Sequence, residues 1–135
     1  MDDIGNMYAE RPGTDAELLP VVVGSHLDTV VPGGAYDGIM GVALALETAA
    51  LLNDHGIATR RPVIIVNWTA EEGARFPPAM LGSGVVAGIW DADFSGSCTD
   101  ADGLRLDDEL RRIGFLGKAE NRLRGFHVAL EAHIE

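Results

Sequence analysis

Cysteine is nearly absent. Cys98 is the only one in 135 residues, so no internal disulfide can form and a cysteine-rich zinc site is excluded. A lone thiol of this kind reads as a small, buried or half-buried side chain. Cations are scarce as well: 10 Lys and Arg stand against 21 Asp and Glu, a net charge of −11. Nucleic-acid binding takes clustered basic residues, so that partner class is excluded. The acidity serves solubility first, with some carboxylates available to bound cations. Long hydrophobic runs are missing too. The most apolar stretch, residues 39–52, is interrupted by Glu47 and is too short to span a bilayer. The N-terminal Met-Asp-Asp-Ile-Gly-Asn is polar and acidic, which predicts no signal peptide and a cytoplasmic protein without a membrane partner. Neither G-x-G-x-x-G nor G-x-x-x-x-G-K-[ST] occurs, so the glycine-rich segment at 33–41 carries no phosphate-loop signature.

What is present is a globular composition, 47% hydrophobic with 17 Gly, and a length that suits one domain with a real core. Leu18 to Val23, ending at Gly24, reads as a strand buried on both faces. Gly38 to Asn53 is rich in Ala and Leu, free of Pro and followed by Asp54-His55-Gly56, which predicts a helix. Pro62 to Trp68 reads as a second buried strand. Strand, helix and strand at these lengths make a βαβ unit and hence a parallel sheet. Further on, Ala79 to Trp90 reads as a helix weakened by three glycines, residues 91–103 as a polar loop, and Leu104 to Ile113 as a charged amphipathic helix. Residues 105–124 hold six of the ten basic residues mixed with acids, the pattern of a solvated face. Phe126 to Ile134 alternates in part and reads as a third strand.

Chemistry concentrates at the expected strand ends. His26 and Asp28 are two apart, so on an extended backbone both point into one pocket; imidazole is a good ligand for zinc, manganese or cobalt. The bland reading is a histidine hydrogen-bonded at a strand end. Asp37 precedes the helix, where an N-cap is the simplest role. A carboxylate bridging two cations fits it better once Glu71 and Glu72 are counted. Those paired acids are useful where one ligates a metal and the other takes a proton from water. In a parallel sheet, such groups gather beyond the carboxyl ends of the strands. His133 ends the third strand and reaches the same edge. His127, on the same strand face, lies about 20 Å away at roughly 3.3 Å per residue. His55 is most simply a favourable imidazole at a helix C-terminus.

Together, Gly24-Ser-His-Leu-Asp-Thr-Val, Gly33-Gly-Ala-Tyr-Asp-Gly-Ile-Met-Gly-Val, Thr69-Ala-Glu-Glu-Gly-Ala-Arg-Phe and Leu130-Glu-Ala-His-Ile-Glu resemble the M20-type metal-dependent amidohydrolases. Within them the similarity is to the N-carbamoyl-L-amino-acid hydrolase, β-ureidopropionase and allantoate amidohydrolase branch. His133 and the Glu-Gly-Ala-Arg-Phe continuation point to that branch. The resemblance implies an α/β fold, a three-layer αβα arrangement on a mostly parallel sheet, as in zinc peptidases. It implies His26 and His133 on one metal, Glu72 on the other and Asp37 bridging them. Glu71 would be the general base and Asp28 the carboxylate that orients His26. The implied cofactors are two divalent ions (Zn, Mn, Co or Ni), and the implied reaction is hydrolysis of the C–N bond of a carbamoyl or ureido group.

Members of that family are longer. They carry a further domain that forms a homodimer interface and helps to hold the substrate carboxylate, and a further histidine ligand near the C-terminus. The Gln-Gly expected after His133-Ile-Glu is absent. Residues 1–135 are therefore expected to be the N-terminal part of the catalytic domain, holding one metal and inactive alone. The alternatives are an M20 peptidase or N-acyl amino acid deacylase, and a non-catalytic metal-binding fragment.

Overall fold

The computed structural model describes residues 1–134. Runs of branched apolar residues, Val21-Val-Val23 and Val63-Ile-Ile-Val66, form the two inner strands, β2 (Val21–His26) and β3 (Val63–Trp68). Side chains branched at Cβ suit a pleated surface covered on both faces. With β1 (Met7–Arg11) and β4 (Val128–Leu130) they make a four-stranded sheet of order β1-β3-β2-β4. β2 runs parallel to β3 with Val21 opposite Val63, and parallel to β4 with Val21 opposite Val128. β1 is antiparallel to β3, Met7 lying opposite Asn67. The α/β class and the mostly parallel sheet are as expected.

Helix α1 (Ile39–Asp54) is the crossover between β2 and β3, and His55 follows as its C-cap with its N–H on the Leu51 carbonyl at 3.1 Å. It covers the sheet face carried by Val23, Ser25 and Ile65. At the far edge, Arg11 donates to Asn53 Oδ1 at 2.8 Å and to the Ile57 carbonyl at 2.6 Å. The later helices are shorter than the sequence suggests. The helix expected over Ala79–Trp90 is α2 (Leu81–Val86): Gly88 turns at φ +72°, and the amides of Ile89 and Trp90 fold back onto the Gly84 carbonyl. The polar loop expected over 91–103 contains α3 (Ala92–Ser97), because Asp91 caps it by accepting the Asp93 N–H at 2.8 Å. α4 (Leu106–Arg112) lies where a charged helix was expected. The third strand, expected over 126–134, is only Val128–Leu130.

A compact apolar cluster of Ile4, Phe76, Leu81, Val85, Leu106 and Leu110 ties the short helices to the N-terminal segment. The turn before β1 is organised by Asp2, fully buried, whose carboxylate accepts the Ile4 and Asn6 amides, the Asn6 side chain and the Tyr8 hydroxyl. Asn6 in turn bonds the Gly82 carbonyl and the Thr69 amide, which fixes the segment that leaves β3. Among the described residues, no helix is long and apolar enough to cross a membrane.

Candidate metal centre

The site lies beyond the carboxyl ends of β2 and β3. His26 is the last residue of β2 and is fully buried. Its ring is fixed by Nδ1, which lies 2.7 Å from the backbone carbonyl of Asp28. A carbonyl only accepts, so Nδ1 carries a proton, and Nε2 is the ring atom turned to the site. The Asp28 carboxylate, expected to orient this ring, stands 3.7 Å from Nδ1. It instead accepts the amides of Glu71 and Glu72 at 3.2 and 3.1 Å, holding the turn after β3 against the end of β2.

Asp37 does not cap α1. The N-cap is Gly38, with φ 65° and ψ −52°, and the Ile39 amide bonds the Asp37 carbonyl at 2.7 Å. Those angles and that bond describe a γ-turn, a conformation strained for residues with a Cβ. A Cβ on Gly38 would lie 2.4 Å from the His26 ring, so the turn passes directly against it. The turn sends the Asp37 side chain inward, where it is 6% exposed.

His133 completes the cluster. The β2–β4 register pairs Val23 with Leu130, and its continuation places His133 opposite His26. Their Nε2 atoms are 3.0 Å apart. Asp37 Oδ1 lies 3.9 Å from the first and 3.5 Å from the second, and Glu71 Oε2 lies 3.5 Å from His26 Nε2. Ligand atoms of His26, Asp37 and His133 all fall within 4.8 Å of one another, as do those of His26, Glu71 and Glu72. The second group shares His26, and Glu72, expected to pair with Asp37, lies in hydrogen-bond contact with it. His127 is exposed and donates its backbone N–H to the Pro20 carbonyl, outside the cluster, as is His55. Cys98 is half-buried, its thiol pushed up by burial, and takes no part.

The donor set suits a divalent cation. Asp37 Oδ1 is one of the buried side-chain oxygens without a hydrogen-bond partner among the described residues. A buried, unpaired carboxylate oxygen is costly unless a cation or proton meets it. Two ligands each about 2.1 Å from one ion sit roughly 3.4 Å apart at tetrahedral angles, close to the separations of these three atoms. The Glu72 carboxyl is held above the usual carboxylate range, first by sharing a proton with Asp37 and then by burial. A cation there would take the place of that proton. Burial also raises Glu71, helped by Asp28 and Glu131 and opposed by the imidazoles of His26 and His133. A carboxyl tuned upward beside a metal set has the character of a general base. An open cleft of about 380 Å³, lined by Val30, Gly33, Asp37, Glu71, Glu72 and His133 among others, gives access.

The model of peptidase family M28 matches residues 6–105. The chain belongs to that family. M28 shares its clan with the M20 peptidases, so the M20-type resemblance read from the motifs is borne out at that level. Among curated relatives, the N-carbamoyl-L-amino-acid amidohydrolase of Rhizobium meliloti is 49% identical over 135 residues, 100% of this chain and 32% of that protein. The allantoate amidohydrolase of Bacillus subtilis is 34% identical over 99% of the chain and 33% of its own length. A solved amidase of the hydantoinase/carbamoylase family from Burkholderia multivorans superposes with a TM-score of 0.94 at 47% identity, over 99% of this chain and 33% of that one. This M28 chain therefore spans about a third of the length of the relatives it matches.

The five residues that converge all lie in motifs legible in the sequence. The two roles of Asp28, one by its carbonyl and one by its carboxylate, and the contact of Gly38 with the His26 ring are visible only in the structure. A glycine directly after an aspartate was the only trace of the latter in the sequence.

Proposed function

We propose that these residues are the metal-binding part of an amidohydrolase that cleaves the C–N bond of N-carbamoyl-L-amino acids or related ureido compounds. The observation that carries the reading is the buried, unpartnered oxygen of Asp37 facing two imidazole nitrogens. The names of the relatives supply the substrate class.

In this reading His26, Asp37 and His133 hold one divalent ion, with Zn, Mn, Co and Ni all suited to imidazole and carboxylate ligands. Glu72, with Asp37, belongs to a second ion. The bound metal supplies Lewis-acid polarisation of a carbonyl and a lowered pKa for water. The protein's own residues do the rest. The Asp28 carbonyl keeps the His26 proton on Nδ1 and its Nε2 free. The Asp28 carboxylate holds the amides of Glu71 and Glu72, which aims both side chains into the cleft. Glu71, raised by burial, takes the proton from the attacking water and passes it to the leaving nitrogen.

The reading takes the chain as the N-terminal part of a catalytic domain in a cytoplasmic homodimeric enzyme. Turnover needs the remaining length that its relatives possess. A peptidase or N-acyl deacylase reading has one observation on its side, the description of the matching family.

The test is a chimera in which these 135 residues replace the aligned third of the Rhizobium meliloti relative. It is expected to release ammonia from N-carbamoyl amino acids and to lose that activity in Glu71→Gln. A chimera that hydrolyses dipeptides or N-acyl amino acids and leaves carbamoyl compounds intact would overturn the substrate class. Full activity in Glu71→Gln would overturn the base.

A further inference from the structure

His26 and His133 come from segments 107 residues apart, yet their Nε2 atoms stand 3.0 Å from each other. Strand pairing does not reach that far. Among the described residues, β4 pairs with β2 only as far as Val23 opposite Leu130, three positions short of both histidines. Something else must hold residues 131–133 in register.

Two contacts do so. Ser25, fully buried and next to His26, donates its hydroxyl to Glu131 Oε1 at 2.5 Å. On the other side, the segment lies against α1 at Gly41. A Cβ there would sit 2.5 Å from the Ala132 carbonyl oxygen and 2.6 Å from Ser25 Cβ. Glycine inside a helix costs about 0.5–1 kcal/mol relative to alanine. Gly41 is thus placed where a larger residue would push the His133 segment off the sheet.

Resting on the metal-centre reading, we infer that Ser25 and Glu131 are positioning residues. Their hydrogen bond extends the β2–β4 register past the last strand pair and fixes His133 opposite His26 as a metal ligand. Glu131 acts through His133 and does not itself touch the ion.

The experiment uses the whole chain, with and without Co²⁺. In the metal-free protein, ring-proton Overhauser contacts between His26 and His133, whose ring centroids are 5.2 Å apart, are expected in the wild type. They are expected to vanish in Ser25→Ala and in Glu131→Ala, while contacts between Val22 and Ala129 persist. Co²⁺ affinity is expected to fall roughly ten-fold in Ser25→Ala, the usual size for a residue that supports a metal ligand. In a His133→Ala background the same substitution should have no further effect.

Persistence of the His26–His133 contacts in both variants overturns the inference. So does an equal loss of Co²⁺ affinity with and without His133, which would assign Ser25 to His26 or to general stability. A wild type that shows the ring contacts but binds no Co²⁺ overturns the metal reading and leaves the tie decided by the metal-free measurement.

Discussion

Replacing Gly38 by alanine tests the local geometry of the site most sharply. At φ 65° and ψ −52° the residue occupies a γ-turn geometry that L-residues rarely adopt, a strain of about 1–3 kcal/mol. The new Cβ would also lie 2.4 Å from His26 Cε1, 2.5 Å from Nδ1 and 2.6 Å from the His26 carbonyl. The ring is fully buried and tied to Asp28, so it has little room to yield. Forcing extra volume into a packed site costs a further 1–3 kcal/mol or so. The sum is about 4 kcal/mol, and at roughly 4 °C per kcal/mol for a domain of this size the melting temperature should fall by about 15 °C. Gly56→Ala is the control, since Gly56 has φ +61° but nothing within 4 Å of its would-be Cβ. It should show the strain alone, about 1 kcal/mol. Calorimetry of the metal-free proteins measures both, and Co²⁺ titration should show Gly38→Ala weakened at least ten-fold with Gly56→Ala unchanged. Equal melting temperatures for the two variants, or wild-type metal affinity in Gly38→Ala, would refute the argument that this turn sets the distance between His26 and Asp37.

Asp37→Asn should abolish divalent-ion binding yet leave the metal-free chain as stable as the wild type or more so, because it relieves the crowding of Asp37 against Glu72 around a buried oxygen, Oδ1, that has no hydrogen-bond partner among the described residues; a lower melting temperature without metal would contradict this. Elemental analysis after desalting should find about one ion per chain, lost in His26→Ala, and retention by the variant would remove His26 from the ligand set. The Tyr8 hydroxyl donates to Asp2 at 2.7 Å, and burial first and Asp2 second raise its pKa well above the ordinary value. Its neutral form therefore contributes stability that is fully present below about pH 10 and lost as the pH rises towards the folded value, so Tyr8→Phe should flatten the alkaline limb of a stability–pH curve. Glu109 is held down to about 2 by the guanidinium groups of Arg112 and Arg75. Its contribution is present above the ordinary glutamate range and lost as the pH falls through about 2, so Glu109→Gln should shallow the acid limb, and an unchanged limb would show the pairs to be inert.

The parts legible in the sequence were those whose physics is local. Buried parallel strands announce themselves as branched apolar runs, and the end of each marks where catalytic groups collect, which is why His26, Asp37, Glu71, Glu72 and His133 could be grouped in advance. β1 was not legible, because Met7-Tyr-Ala-Glu-Arg has no clean alternation and becomes a strand by pairing with the free edge of β3. α3 was hidden by its polar composition, although Asp91 two residues before Asp93 was a usable cap signal. The length of β4 and the tie through Ser25 and Glu131 depend on contacts more than 100 residues apart, which no window along the chain contains.

The same geometry predicts that a cation bound at this site would be coupled to folding. Asp37, Glu71 and Glu72 crowd together at the buried end of His26, where burial raises Glu71, the Asp37 hydrogen bond and burial raise Glu72, and the His26 imidazole opposes both. The backbone tolerates this because it is held elsewhere: at Asp28 by two amides, at Gly38 by the γ-turn, and at Ser25 by Glu131. A ligand that binds the folded chain alone adds RT ln(1 + [L]/Kd), about 2.7 kcal/mol at a hundred times Kd. That increment should appear in the wild type as a melting temperature that climbs with Co²⁺ concentration. It should vanish in His26→Ala and Asp37→Asn, which remove a ligand, and shrink in Ser25→Ala, which leaves every ligand in place but loosens one of them.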